Sequence, residues 1–160
     1  MSTYISTAEF TKKHGHFRIS EYCIEQKPPT KRIADIILSN HITPMNAVRE
    51  AVGEPVLVSK RSGYRPRKYE QSKGRTGNSQ HNFEESHPNG TGAADYTSAS
   101  AKDLIEPMLE HTCYTRVCYY PNNNFVHADF KPTPSGKREL YTAQSPTSKW
   151  KLDRVVDIQK

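Results

Sequence analysis

Two imidazoles and one carboxylate stand in short, patterned contexts along the chain: His81 in Ser79-Gln80-His81, Asp95 in Gly92-Ala93-Ala94-Asp95, and His127 in Phe125-Val126-His127-Ala128-Asp129. Zinc takes nitrogen and oxygen donors of this kind, and a catalytic zinc site needs three protein ligands with a fourth position left for water. On a strand, alternate side chains share a face, so His127 and Asp129 point one way while Val126 and Ala128 point the other. That suits a metal ligand with a carboxylate beside it. The small residues before Asp95 would let backbone and ligand approach closely and seat the carboxylate at the start of a buried strand. Taken singly, each residue has a plainer explanation: a packed strand histidine, a turn aspartate, an exposed loop histidine. Their order and contexts together point to a site.

The elements that must position these residues follow from local pattern. Residues 1–30 are polar and end in Lys27-Pro28-Pro29, which reads as an arm and a stiff turn, with Phe17 to Tyr22 the part that packs. The spacing of Ile33, Ile36 and Ile37 predicts a short helix. Thr43-Pro44 begins a second one, which stops at Gly53. Pro55 to Ser59 reads as a buried strand. Residues 60–92 form a connection too long to be ordinary, and the presence of Arg65 and His81 marks it as functional. Leu104, Ile105, Met108 and Leu109 predict a helix capped at Ser100, with Pro107 near its start. Arg116 to Tyr120 and Phe125 to Phe130 are strands around the Pro121–Asn124 turn, and Arg138 to Thr142 is a third after a turn at Pro132 to Gly136. Few helices with an antiparallel sheet define an α+β fold: a small antiparallel sheet with flanking helices. The division expected is an arm over 1–16, a domain over 17–145 and a tail over 146–160, whose Trp150 reads as a packing anchor.

A chain of 160 residues with 34% hydrophobic content makes one loop-rich domain. No apolar run approaches bilayer length, so no membrane span is expected. The first residues lack a basic n-region and an apolar h-region, which argues against a removable secretory signal. Three cysteines (Cys23, Cys113, Cys118) are too few for a disulfide scaffold and read as free, mostly buried thiols. Net charge is +6, concentrated in Lys60, Arg61, Arg65, Arg67, Lys68, Lys73 and Arg75. Such a run attracts anionic partners, an acidic cell-wall polymer among them, or is simply solvated. Helix-turn-helix, RNP and zinc-finger patterns are lacking, so no specific nucleic-acid partner is expected.

Ser62-Gly63-Tyr64-Arg65, Ser79-Gln80-His81, Gly92-Ala93-Ala94-Asp95 and Phe125-Val126-His127 resemble, in that order, the motifs of the zinc D-Ala-D-Ala carboxypeptidase family, the M15 peptidases, especially its phage and bacterial cell-wall branches. The resemblance spans roughly residues 17–130. It implies the zinc-peptidase fold shared with the Hedgehog signalling domain, Zn2+ held by His81, Asp95 and His127, and hydrolysis of a peptide bond in the peptidoglycan stem. Arg65 would hold a substrate carboxylate or polarise the scissile carbonyl, as its planar fork allows. Ser79 would help to orient substrate. A phage-encoded enzyme would reach the wall from the cytoplasm by lysis or from the virion. The alternative is a non-catalytic binding or structural protein, such as a virion component among phage structural proteins, that retains the fold.

The chain departs from the family pattern twice. His81 and Asp95 stand fourteen positions apart, further than the family norm, which implies an insertion near Glu84 to Asn89 and makes His87 a rival first ligand. The place three residues before the last histidine, where many members carry a carboxylate, holds Asn124, which cannot exchange a proton near neutral pH. Asp129 is therefore the expected general base, with orientation of His127 through a hydrogen bond as its rival role. Glu106, Glu110 and His111 are remoter candidates.

Overall fold

The computed structural model describes residues 3–24, 26–59, 63–74, 81, 83 and 92–157. The segment expected as an arm is structured: Ser6 caps a short helix, α1 (Thr7–Thr11), by accepting from Glu9 N, and Phe10 is buried. A two-stranded hairpin follows, β1 (Lys13–His14) with β2 (Phe17–Arg18), and leads through a 3-10 turn over Ile19–Tyr22. Phe17, Ile19 and Tyr22 then enter the core as their pattern predicts.

The two helices expected around Ile33 and Thr43 are joined. Helix α2 (Lys31–Ile36) passes through a π-helical segment, Ile37–Ile42, into α3 (Thr43–Val52). Pro44 has no N–H to offer the preceding turn, and the widened segment with Thr43 Oγ1 bonded to Leu38 O (2.8 Å) absorbs the defect instead of ending the helix. The stop comes at Gly53, in the left-handed region at φ 74°.

The main sheet comprises β3 (Leu57–Val58), β4 (Ala93–Thr97), β5 (Arg116–Tyr120), β6 (Phe125–Asp129), β7 (Arg138–Thr142) and β8 (Lys151–Val156), in the spatial order β3-β4-β6-β5-β7-β8. Two expectations about it are corrected. The strand near Pro55–Ser59 is a two-residue edge strand with Leu57 exposed, not a buried one. The sheet is mixed, because β5 and β7 run parallel. The reason is connectivity: β6 ends at Asp129 opposite Arg116, the first residue of β5, and the link over 130–137 delivers the chain to the other edge of β5 at that same end. The segment set off as a tail supplies β8, which pairs with β7 along the sheet edge.

Helix α4 (Arg67–Ser72) lies within the stretch expected as loop, and α5 (Ile105–His111) follows a 3-10 turn over Ala101–Leu104. Helices cover one face of the sheet, where Ile37, Met45, Val48 and Met108 pack with Ala94, Val126 and Ala128. The buried Arg138 joins the layers. Its guanidinium donates to the Leu109 and Met108 carbonyls in the last turn of α5 and to the Tyr114 carbonyl just beyond it, a cation placed at the helix C-terminus. The architecture is α+β. Among the described residues no helix is long and apolar enough to cross a membrane. All three cysteines are free, Cys23 and Cys118 buried and Cys113 exposed.

Candidate metal centre

Strand pairing brings two of the three residues together before any loop is considered. Asp95 on β4 is the direct cross-strand partner of His127 on β6, so both side chains rise from the same face. His127 Nδ1 lies 2.8 Å from Asp95 Oδ1. His81 closes the group from the loop side, with Nε2 3.6 Å from the same Asp95 oxygen and its ring 5.1 Å from that of His127. One donor atom from each of the three lies within 4.8 Å of the others, and all three residues are buried. Tetrahedral ligands about 2.0–2.2 Å from a zinc ion stand about 3.3–3.6 Å apart. The two separations to Asp95, 2.8 and 3.6 Å, lie below that range and at its upper end and the third is within 4.8 Å, so the donor set fits zinc in number and chemistry and is close enough to converge on one ion.

Each histidine is held by its other nitrogen. His81 Nδ1 donates to Gly63 O at 2.9 Å, which turns Nε2 toward Asp95. Gly63 is obligatory there, since a Cβ would fall 2.3 Å from Tyr22 O. Arg65 N also donates to His81 O (2.8 Å), fastening the segment around Gly63 to His81. His127 Nε2 meets Asp129 Oδ2 at 2.7 Å, leaving Nδ1 for the site. Carboxylate and carbonyl partners of this kind fix tautomer and ring orientation in metal sites.

Asp129 is wholly buried and its oxygens are committed. Oδ1 accepts from Arg116 Nε at 2.8 Å and from Lys131 N at 3.0 Å, while Oδ2 accepts from Arg116 Nη2 at 2.5 Å and faces His127. Arg116 is a site residue that sequence reading missed. Its place follows from the register, which sets it opposite Asp129, and register is not visible one strand at a time.

The charges follow from these contacts. Burial pulls the His81 imidazole down to about 4 against the opposing pull of Asp95, so it is neutral near pH 7 and presents a lone pair. Burial would also depress His127, but the bonds to Asp129 and Asp95 outweigh it and carry the group up to about 9. Asp95 is held below its ordinary range, because His81, His127 and the nearby Arg65 outweigh the burial that would raise it. For Asp129 burial acts in the same raising sense, and the His127 and Arg116 hydrogen bonds overcome it by a wide margin.

Other expectations resolve unevenly. Ser79 and His87 lie outside the described residues. The small residues before Asp95 serve packing: a Cβ on Gly92, at φ 79°, would lie 2.4 Å from the Phe83 ring. Asn124 has a structural task at φ 50°, donating to Ser98 O and accepting from Ala101 N, each within 2.9 Å. Glu106 is paired with Arg154 at 2.5 Å, and neither it nor Glu110 or His111 belongs to the cluster. Trp150 does pack as an anchor, with its ring 5.4 Å from that of His127.

A family model described as Peptidase M15 matches residues 4–129. No curated protein and no solved structure matches the chain.

Proposed function

The chain belongs to the M15 peptidase family, and from that membership we propose that it is a zinc metallopeptidase that hydrolyses a peptide bond in the peptidoglycan stem. The fold proposed with it is the zinc-peptidase fold shared with the Hedgehog domain, and the setting is phage-encoded, with access to the wall by lysis or from the virion. The observation that carries this reading is the convergence of His81, Asp95 and His127 with the outer nitrogen of each imidazole already engaged.

In this reading His81 binds the metal through Nε2, His127 through Nδ1 and Asp95 through its carboxylate. Bound zinc supplies Lewis acidity, polarising a carbonyl and making a water acidic near neutral pH. Arg65, which lies close enough for its charge to act on both His81 and Asp95, binds a substrate carboxylate or steadies charge on the scissile carbonyl. Ser79 helps to orient substrate, as the family resemblance of Ser79-Gln80-His81 implies. Asp129 takes the orienting role: a carboxylate with four hydrogen bonds from three residues and no solvent exposure is poorly placed to collect a proton from water.

That commitment of Asp129, together with the structural task of Asn124, favours a second reading: a virion or other binding protein that keeps the metal and the fold without turnover. One experiment separates the two. The purified chain is assayed for zinc content and for release of stem-peptide fragments from cell wall. About one zinc per chain with fragments released supports the peptidase. Zinc without fragments selects the second reading, and no zinc uptake on titration sinks the metal centre.

A further inference from the structure

The family match ends at Asp129, yet the metal-site face of the sheet is completed by residues beyond it. Trp150, immediately before β8, lies over that face. The Arg116 guanidinium stands over its ring at 4.6 Å, the His127 ring is 5.4 Å away and the Tyr141 ring 5.2 Å. Its Nε1 donates to Tyr120 Oη at 2.8 Å, which fixes the plane of the indole. Arg116 is in turn the fork that grips Asp129, and Asp129 holds His127 Nε2. A half-buried tryptophan therefore closes a continuous chain of contacts that ends on the outer nitrogen, Nε2, of His127.

We propose that Trp150 is a positioning residue of the metal centre, clamping Arg116 onto Asp129 and so holding His127 with Nδ1 toward the ion. The cation over the indole face is attracted by the ring quadrupole, and the indole shields the Arg116–Asp129 pair from water, which strengthens it. The strand β8, paired with β7 across a register irregularity at Leu140/Tyr141, is what carries the tryptophan to this place. This inference rests on the zinc reading above.

Trp150 is the single tryptophan of the chain, so its emission reports on its own surroundings. The full chain is freed of metal and titrated with Co2+, following tryptophan quenching and the visible Co2+ absorption, and with Zn2+ against a chelator. Wild type should bind one ion with quenching of Trp150. Trp150→Leu should lose about ten- to a hundredfold in Zn2+ affinity, the range found when an outer partner of a ligand is removed, with an altered Co2+ spectrum. Trp150→Phe, which keeps a ring over Arg116, should recover much of that affinity, and serves if the leucine variant does not fold. In an Arg116→Met background, Trp150→Leu should add little, because the path through Arg116 is already cut. Wild-type affinity and spectrum in folded Trp150→Leu, or full additivity with Arg116→Met, would overturn the positioning role and leave the zinc centre standing. A wild-type chain that binds neither ion overturns both.

Discussion

Strand β4 contributes to a buried polar network on each face of the sheet, and the two are opposite in kind. On the helix-covered face Tyr22, Tyr96 and Tyr114 link their hydroxyls at 2.8 and 2.7 Å, and Tyr114 continues to His41 Nδ1 at 2.7 Å. On the other face, Asp95, the residue just before Tyr96, meets His127, Asp129 and Arg116 in an ionic network. Adjacent residues thus serve different ends because strand side chains alternate. The tyrosine chain satisfies its hydroxyls among packed aromatic rings. The ionic one holds a histidine between two carboxylates, an arrangement in which a metal ion can replace the proton on Nδ1. One face supports the fold, and the other is poised for a cation.

The sharpest way to break the contrast is His127→Ala, which should abolish stoichiometric zinc uptake and any peptide hydrolysis while the chain stays folded, as checked by metal analysis and circular dichroism. Asp129→Asn comes next. If Asp129 orients His127, zinc affinity should fall about ten- to a hundredfold in chelator competition; unchanged affinity with lost turnover would restore it as the base. On the opposite face, Tyr96→Phe removes the central hydroxyl and leaves two buried neighbours short of a partner. It should cost about 1–3 kcal/mol in denaturant unfolding with zinc affinity unaltered. Loss of metal binding in that variant would mean the faces are coupled.

The smallest effect near neutrality concerns pH. Burial, with the neighbouring hydroxyls adding to it for Tyr96, raises the ionisation of Tyr22 and Tyr96 well above 10.0. A group raised in the folded state contributes stability that is intact below its unfolded value and is lost as pH climbs toward the folded one. The tyrosine hydroxyls should therefore add no pH dependence up to about 10, and stability should decline above it. Ultraviolet titration should show these tyrosinates appearing only with unfolding; early ionisation in the folded chain would contradict the sealed network.

Legibility in the sequence tracked the range of the interaction involved. The Phe125 to Asp129 alternation disclosed which side chains share a face, and Gly53 marked a helix end, because both are properties of a few consecutive residues. The edge position of Leu57 and the parallel course of β7 were not readable, since each depends on which strand lies alongside. Gly92 pointed to close approach, but whether to a ligand or to Phe83 was a tertiary matter. Asn124 looked like a missing base, and proves to be occupied in a turn.

The amino-acid order was enough to establish the family and the donor types at His81, Asp95 and His127, because chemistry resides in residue identity and motifs are local. Folding alone could assign Asp129 its four hydrogen bonds, place Arg116 against it and bring Trp150 against Arg116. Those contacts join residues remote in the chain through strand register, and whether a buried carboxylate accepts protons or merely steers a histidine depends on how many of its lone pairs its neighbours have already taken.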